Sequence, residues 1–550
     1  MRSLIRATIP LILLGVALGQ GSLLLVGGGG EGYNDWSDTP YAWFVEQAGY
    51  GTIINIDASE VSDWYPGYFE HLGADEASHE LRIRTRTEAN DPEIADLIRA
   101  ADGIFIEGGD QWPYVENWNG TLVEEAILEV FENGGAVGGT SAGLAVLGQV
   151  DFTAQYGSVL APEPLENPCR TDMALSDIFL PLATGVLTDS HFHSRGRIGR
   201  LIPLLARWAS DTGEWLMGMG VADNTAACLA SDGTLTVWGE GSVTILYRDP
   251  DSVLDLACPP QAAFSLTTLH MDQLTEGHVY DLYSHTLLDG AGTLVPVLPD
   301  TLPVNYQAVY MDGSTDTAAD LGEWKVTGLT GNLAAWYGNL NLVAGNGALP
   351  RTLIMPRIWH EYDEFENRVV GSLWAIGQHP GLTALWLDEG VTAAVSSDGV
   401  FTPNGQAWVL DSRHVSHAGF PDHRNTCYGG LIGLRIHILE AGMEYDLASH
   451  QLVSLDPGQP ILPEQSRLEG KPNPFNGEVI ILHPLASTEE RTMRIFDYQG
   501  RLVRKLVPGE DGQTRWDGRD DFGNDLASGI YLVTLTHQGR ALVCKLVLMK

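Results

Sequence analysis

Lysine and arginine are scarce in this chain of 550 residues, which carries 31 of them against 71 aspartates and glutamates. The formal net charge is −40. Such a surface repels phosphate backbones and anionic membranes, which argues against nucleic acid as a partner. It would attract a cationic substrate, and it would equally suit a protein that needs only solubility in a salty habitat.

Cysteine is also rare. The five cysteines stand at positions 169, 228, 258, 427 and 544, an odd number with wide spacing. At most one or two disulfides could form, and the spacing assigns none of them. No Cys-x-x-Cys pair and no His/Cys cluster is present, so we expect no metal site and no cofactor.

Long apolar runs are missing except for Ile9–Leu18, which follows the basic residues Arg2 and Arg6. This run is too short to span a membrane. Its basic start and the small residues at its end are typical of a secretory signal peptide, residues 1–19, with cleavage near Gly19. The alternative is that the run forms the first buried element of the fold. On the first interpretation the mature protein is soluble and exported.

Short apolar runs alternate with helical patterns over the first 140 residues. We predict strands at Ser22–Val26, Thr52–Ile56, Leu81–Thr85 and Gly103–Glu107, and helices at Pro40–Gly49, Trp64–Leu72, Asp91–Ala101 and Thr121–Asn133. This alternation predicts an α/β fold, with a parallel sheet sandwiched by helices. Chemistry in such sheets gathers at the carboxyl ends of the strands. The glycine runs found there match no nucleotide-binding motif.

One of these strand ends reads Gly139-Thr140-Ser141-Ala142-Gly143. This is G-x-S-x-G, the pattern of a serine held on a sharp turn between a strand and a helix. The flanking glycines avoid collisions that a Cβ would cause in so strained a turn. The turn would present the Ser141 hydroxyl and the Ala142 N–H to a substrate. An ordinary strand-to-helix turn is the alternative.

A candidate base follows in the segment Asp189–Leu201, which contains His191 and three arginines. A serine needs a neighbouring base to become nucleophilic, and histidine suits that task at neutral pH. Asp223, in the stretch Gly218–Ala227, could orient the base. Each of these residues also has an ordinary structural explanation, such as a packed histidine, an ion-paired Arg200 or an acidic turn.

Taken together, these motifs resemble the cyanophycinase and dipeptidase E serine peptidases, whose fold is like that of class I glutamine amidotransferases. The matching pieces are Gly108-Gly-Asp-Gln111, Gly138–Gly143 and Asp189-x-His-Phe-x-x-Arg-Gly-Arg-x-x-Arg-Leu201. They occur in the family's order, and the long last motif favours cyanophycinase. The resemblance predicts a peptidase domain over residues 20–300.

The resemblance implies a role for each motif residue. Ser141 would be the nucleophile, His191 the general base and Asp223 the acid, where the family usually has Glu. The oxyanion hole would come from the backbone at Gly109 and Ala142. The residues expected around the substrate are Gln111, Asp189, Arg195 and Arg197. Ser190 stands where the family usually has Gln. Relatives cleave β-aspartyl-arginine isopeptide units or N-terminal aspartyl peptides.

A second, weaker copy of the domain follows the first. Glu276-Gly-His-Val-Tyr-Asp-Leu-Tyr-Ser-His285 returns as Ala441-Gly-Met-Glu-Tyr-Asp-Leu-Ala-Ser-His450, and Thr225–Gly233 returns as Thr392–Gly399. The two matches are separated by nearly equal distances, which indicates a duplicated segment. The copy has no G-x-S-x-G. We therefore interpret residues 301–456 as a degenerate partial repeat of the peptidase domain, with a structural or a substrate-binding role.

The last part of the chain has a different composition. Residues 457–470 form a Pro/Gly/polar linker, and residues 471–550 predict short strands separated by turns. Lys471-Pro-Asn-Pro-Phe-Asn476, Trp516-Asp-Gly518 and Ser528-Gly-Ile-Tyr531 resemble the immunoglobulin-like C-terminal sorting domain of type IX secretion cargo. The resemblance implies export by that secretion machinery, and the alternative is a β-sandwich spacer.

The sequence therefore predicts an exported serine peptidase of the cyanophycinase type, which acts on cyanophycin or other aspartyl peptides and requires no metal or cofactor. A homodimer is compatible with it. The alternative is a non-catalytic surface binding protein built on a peptidase fold. A glutamine amidotransferase is disfavoured, because Ser141 stands where those enzymes use Cys.

Overall fold

The structure is a computed structural model. It describes residues 21–59, 64–76, 78–256, 258, 264–290, 293–294, 305–328, 331–419, 429–454, 469–471, 473, 475–483, 493–497, 502–509, 512–521, 523–537 and 540–549. The predicted signal peptide and most of the predicted linker lie outside these residues. The chain divides into two compact units, Met1–Val453 and Ser454–Lys550.

The first unit contains a sheet in which nine strands are described. Their spatial order is Thr286–Asp289, Val279–Asp281, Thr234–Gly239, Thr225–Leu229, Ser22–Val26, Ala136–Thr140, Gly103–Ile106, Ile53–Asp57 and His79–Arg82. The five strands from Ser22–Val26 onward are mutually parallel. The other four pair antiparallel. The sheet is thus mixed and not wholly parallel as predicted, because short hairpins follow the strand Met217–Val221.

Helices cover both faces of the parallel part. The described α-helices of the first unit are Asp38–Gln47, Trp64–His71, Pro92–Arg99, Trp112–Trp118, Leu122–Glu132, Ala142–Ala145, Pro162–Glu166, Ile198–Thr212, Asn332–Trp336 and Val369–Gln378. Tyr41, Phe44 and Phe69 fill the core on one face of the sheet. Ile98 and Ile127 pack into the core on the other face. The carboxyl ends of the parallel strands therefore meet at one edge of a sheet that is enclosed by helices.

A larger sheet joins the two segments in which the repeat was predicted. Its order is Leu340–Ala344, Gly322–Gly328, Leu349–Pro356, Thr383–Leu387, Ala407–Asp411, Gly430–Leu439, Ser265–Thr275, Ser242–Asp255, Met217–Val221, Ala183–Asp189, Gly148–Phe152 and Leu175–Ser176. Two short strands, Thr293–Leu294 and His417–Gly419, attach at its side. The centre of this order is the antiparallel pair Ser265–Thr275 and Gly430–Leu439.

The strand directions are the same on both sides of that central pair. Going along the chain, two parallel pairings are followed by two antiparallel ones in the segment 148–275. The same succession occurs in the segment 322–439. A smaller sheet has five strands in the order Val309–Asp312, Thr392–Val395, Val400–Pro403, Glu444–Asp446 and Gln451–Ser454. This order corresponds to that of the strand Ser22–Val26 and the four antiparallel strands beside it in the nine-stranded sheet.

A disulfide joins Cys169 to Cys258, which are 89 positions apart in the sequence. The sequence spacing did not identify this pair, because only the tertiary fold brings the two Cα atoms to 5.4 Å from each other. Cys228 is buried as a thiol on the strand Thr225–Leu229, and its burial raises its pKa.

The second unit is rich in strands. One sheet contains Glu469–Lys471, Val479–Leu482 and Gln513–Trp516, and another contains Leu502–Leu506, Met493–Asp497, Gly529–His537 and Arg540–Leu548. Val479 and Ile481 from the first sheet share one buried core with Ile495 and Val533 from the second. Two antiparallel sheets around a common core are the arrangement of a β-sandwich. Within the described residues, no helix is both long and apolar enough to span a bilayer.

Candidate active site

Ser141 lies at the carboxyl end of the strand Ala136–Thr140, immediately before the short helix Ala142–Ala145. Its backbone has φ 54° and ψ −108°, a conformation that side-chain-bearing residues rarely adopt. The Ser141 N–H donates to the Val26 carbonyl at 2.9 Å, which ties the turn to the neighbouring strand. This is the sharp strand-to-helix turn that G-x-S-x-G predicts.

His191 lies next to this serine. The Ser141 Oγ and the His191 Nε2 are 2.8 Å apart. On the other side of the ring, Nδ1 is 2.5 Å from Oδ1 of Asp223. The His191 and Asp223 side chains keep 18% and 21% of their surface exposed, so solvent and a substrate can reach the pair. The three residues are thus connected in the order that nucleophilic catalysis requires.

The carboxylate of Asp223 is held in its charged form. Burial by itself raises the pKa of Asp223, but the hydrogen bond from His191 and the charge of that ring outweigh the burial. The pKa is therefore lowered, so Asp223 is ionised near neutral pH. In serine hydrolases with a Ser-His-acid triad, a carboxylate in this position stabilises the imidazolium that forms during the reaction. The aspartate reaches His191 in spite of being shorter than the glutamate that the family usually has.

The glycine run after the first strand supports both partners of the serine. The Gly27 carbonyl accepts the His191 N–H at 2.7 Å, and the Gly28 carbonyl accepts the Asn224 N–H at 2.8 Å. Gly28 lies directly against the His191 ring. The sequence predicts only that these glycines end a strand at the active edge. Their contact with His191 depends on how distant segments of the chain pack together, which local residue patterns do not reveal.

The two residues predicted to form the oxyanion hole stand next to residues of the serine turn. Gly109 follows Gly108, on which a Cβ would be 3.3 Å from the Ser141 Cβ. Ala142 begins the helix that follows Ser141, where backbone N–H groups have no helical partner. Gln111 is half-buried nearby, and its Nε2 donates to the Phe152 carbonyl at 3.2 Å.

The predicted substrate contacts in the Asp189–Leu201 segment are mostly buried. Asp189 is 3% exposed and accepts from Arg200 Nε at 2.8 Å and from Arg200 Nη2 at 2.5 Å. Arg197, 5% exposed, adds a longer contact of 3.4 Å. This burial favours a supporting role for Asp189 and Arg197 beneath the site over direct contact with a substrate. Arg195 keeps 30% of its side chain exposed.

A group of acidic side chains occupies the same sheet edge. Glu31 accepts from the Thr140 hydroxyl at 3.2 Å and from the Tyr41 hydroxyl at 2.7 Å. Glu107 is nearly buried at the end of the strand Gly103–Ile106. Burial, with smaller contributions from neighbouring carboxylates, raises the pKa of Glu107 to about 8. Glu107 therefore keeps its proton near neutral pH, and Glu31 is the acidic side chain bonded directly to the strand that ends at Ser141. Sequence patterns did not indicate either residue.

The site shows no arrangement that suggests a metal centre. Across the residues that the structure describes, no three His, Cys, Asp or Glu side chains converge as metal ligands would. The chemistry that this geometry supports is nucleophilic attack by a serine hydroxyl with a histidine as base.

Comparison with known proteins gives the class of this chain. A family model described as peptidase family S51 matches residues 23–173. Cyanophycinase from Trichormus variabilis is 34% identical over 246 residues, which are 44% of this chain and 77% of the relative. Cyanophycinase from Synechococcus elongatus is 34% identical over 223 residues, 40% of this chain and 65% of the relative. A solved peptidase from an acI-B1 Actinobacterium is 20% identical, with a TM-score of 0.34, and covers 48% of this chain and 98% of its own.

The chain is therefore a serine-type peptidase. It belongs to peptidase family S51. A second family model, described as a secretion system C-terminal sorting domain, matches residues 472–549. The protein is accordingly a secreted or cell-surface protein that carries the signal for a secretion machinery in its second unit.

Proposed function

We propose that this protein hydrolyses β-aspartyl-arginine isopeptide bonds, or closely related aspartyl peptide bonds, through the triad Ser141, His191 and Asp223. The observation that carries the proposal is the continuous contact from Ser141 Oγ to His191 Nε2 at 2.8 Å and from His191 Nδ1 to Asp223 at 2.5 Å. Groups at these distances can exchange a proton without a rearrangement of the site.

The reaction follows from the roles of these groups. Ser141 Oγ attacks the scissile carbonyl carbon while His191 takes its proton, and Asp223 stabilises the resulting imidazolium. The backbone N–H groups at Gly109 and Ala142 receive the negative charge on the carbonyl oxygen. His191 then protonates the leaving amine as the C–N bond breaks. A water molecule, deprotonated by His191, hydrolyses the acyl-serine and restores the hydroxyl.

The charges near the site support a cationic substrate. The chain has a formal net charge of −40, and Glu31 lies beside the nucleophile strand through its bond to Thr140. Gln111 and the partly exposed Arg195 are the side chains that we assign to direct substrate contact. Asp189 and Arg197 would support them from below through their buried ion pair. The relatives' name, cyanophycinase, supports a substrate that combines aspartyl and arginyl groups.

The same reasoning extends to the architecture. We infer a glutamine amidotransferase-like peptidase domain over residues 20–300 and a degenerate copy over 301–456. The repeated succession of strand directions supports the copy. The part of the domain between Val26 and Gly148, which contains Ser141, has no counterpart between Asp312 and Gly322. An immunoglobulin-like sorting domain over 471–550, a signal peptide over 1–19 and a homodimer complete the proposal.

The decisive experiment compares the wild type with Ser141→Ala on cyanophycin and on panels of β-aspartyl and α-aspartyl peptides, with mass spectrometry of the products. Loss of the nucleophile should lower the rate by roughly 10⁴-fold or more. The exposed Ser284→Ala serves as the matched control and should retain full activity. Ser141-dependent release of other peptides would keep the mechanism and reject the substrate. Unchanged hydrolysis by Ser141→Ala would reject the triad.

A further inference from the structure

The loop that carries the catalytic base is held by residues from the second half of the first unit. We call residues 190–197 the catalytic loop. The Asn367 Nδ2 donates to the Arg195 carbonyl at 3.2 Å, and the Asn332 Nδ2 donates to the Ser194 carbonyl at 3.5 Å. Both asparagines are fully buried. Two main-chain carbonyls within four residues of His191 thus bond to side chains more than 130 positions later in the chain.

The carboxylate of Glu364 adds ion pairs to this contact. Glu364 Oε1 is 3.4 Å from Arg195 Nη1, and Glu364 Oε2 is 4.0 Å from Arg197 Nε. The Glu364 side chain is 13% exposed, so the surrounding solvent screens these attractions only in part. The Arg195 guanidinium also lies over the Phe365 ring, 5.9 Å from its centre. One short segment therefore restrains both the backbone and the side chains of the catalytic loop.

The two amides are anchored at their other ends. Asn367 Oδ1 accepts the His360 N–H at 2.7 Å, and Asn332 Oδ1 accepts the Val370 N–H at 3.2 Å. Each amide thus connects the catalytic loop to the backbone of the second half of the first unit. Gly196 has φ 61°, and a Cβ there would lie 2.7 Å from the Asn367 Nδ2. The fit leaves no room for a side chain, so the contact is specific in shape as well as in polarity.

The strand order of the larger sheet explains why the catalytic loop meets this part of the chain. The catalytic loop comes after the strand Ala183–Asp189, and the segment 357–368 comes after Leu349–Pro356, which has the same position on the other side of the central strand pair. Equivalent loops of the two halves therefore face each other. A half without a nucleophile can still contribute to catalysis by contact with the loop that holds His191.

We propose that residues 305–453 act as a built-in partner that positions the catalytic histidine, with Asn332, Asn367 and Glu364 as the positioning residues. The inference rests on the proposed triad. None of the three residues touches the reacting atoms. Asn332 and Asn367 act through the backbone of the catalytic loop, and Glu364 acts through the side chains of Arg195 and Arg197. The second half of the first unit is then part of the working enzyme.

The test uses Asn367→Asp in the full-length protein. This change keeps the side-chain shape and the acceptor for the His360 N–H, but it removes the donor to the Arg195 carbonyl. The matched control is Ser372→Ala. It removes another buried hydrogen bond of the same half, which Trp386 Nε1 donates to the Ser372 Oγ and which does not involve the catalytic loop. Glu364→Gln is a second variant that removes charge with little change in volume.

The readout is the rate at which a fluorophosphonate probe labels Ser141, resolved into the maximal rate and the half-saturating probe concentration, together with the Tm. We expect Asn367→Asp to lower the maximal rate at least tenfold, because small displacements of a catalytic group are costly. Glu364→Gln should lower it severalfold. Ser372→Ala should lower the Tm and leave the maximal rate unchanged. The half-saturating concentration should stay constant throughout.

Two results would overturn the inference. One is a folded Asn367→Asp or Glu364→Gln protein that is labelled at the wild-type rate. The other is a loss of rate that follows the loss of Tm equally in all three variants, which would show general destabilisation. Failure of the triad itself is recognised separately, because the wild type would then resist labelling or Ser141→Ala would be labelled as fast as the wild type.

Discussion

Replacement of Gly28 by alanine should disable His191, the proposed catalytic base, while the fold survives. Gly28 has φ 101°, and a Cβ built on it would lie 2.7 Å from His191 Nε2 and 3.0 Å from Nδ1. The Cβ would come closer still to Cε1 of the ring, and because non-bonded heavy atoms prefer separations of about 3.5 Å, the ring must move by about 1 Å. That movement directs Nε2 away from the Ser141 hydroxyl, which is 2.8 Å from it in the native site.

The magnitude follows from this displacement. A misplacement of about 1 Å can cost a catalytic group roughly 10²-fold in rate, which corresponds to about 2.7 kcal/mol of barrier. The backbone strain of an alanine in the left-handed region adds about 1–2 kcal/mol to the cost in folding free energy. We therefore expect the maximal rate of fluorophosphonate labelling to fall about 10²-fold in a protein that is still folded.

Gly30→Ala is the matched control for this prediction. A Cβ on Gly30 meets no atom within 4 Å, and its φ lies outside the left-handed region. This variant should keep the wild-type rate and nearly the wild-type Tm. Circular dichroism would confirm that both proteins are folded. A folded Gly28→Ala protein with the wild-type labelling rate would refute the placement of His191 against the glycine run.

Two further predictions concern stability. Replacing Cys169 and Cys258 together by serine should lower the free energy of unfolding by about 3–4 kcal/mol, because the disulfide closes a long loop in the unfolded chain; a urea midpoint equal to that of the wild type would contradict this. Glu107 has its pKa raised to about 8 by burial, against about 4.3 for an unfolded chain, so the folded protein holds a proton that the unfolded one has lost. Its contribution to stability therefore declines as the pH rises from about 4.3 to 8. Glu107→Gln should flatten that decline in urea titrations at pH 5 and pH 8, and an unchanged slope would argue against the buried proton.

Local patterns predicted the first half of the fold well. The expected strand Ser22–Val26 is present with the same bounds, and the helix expected at Thr121–Asn133 spans Leu122–Glu132. The prediction succeeded because buried parallel strands are continuous apolar runs bounded by glycine. It failed for the antiparallel half of the sheet. Strands such as Thr225–Leu229 and Thr234–Gly239 form hairpins, and local residue patterns do not reveal the direction in which such strands join the sheet.

The candidate triad was predicted from residue types and motif order. Ser141, His191 and Asp223 lie far apart in the sequence, and each alone has an ordinary structural explanation. The structure brings them into contact. It also shows that the predicted substrate residues differ in burial. Asp189 and Arg197 are buried, whereas Arg195 is partly exposed. The order of motifs in the sequence carries no information about burial, because burial depends on which helices and strands pack over the segment that contains these residues.

The sequence by itself determined the apolar strands, the strained serine turn and the order of the candidate catalytic residues, because these depend on local periodicity and on the chemistry of single side chains. Only the tertiary structure decided that Gly28 lies against His191, that Cys169 bonds to Cys258, and that Asn367 bonds to the Arg195 carbonyl. These contacts join residues up to 172 positions apart. Their partners are chosen by the pairing of sheets and the packing of whole halves, which no local pattern encodes.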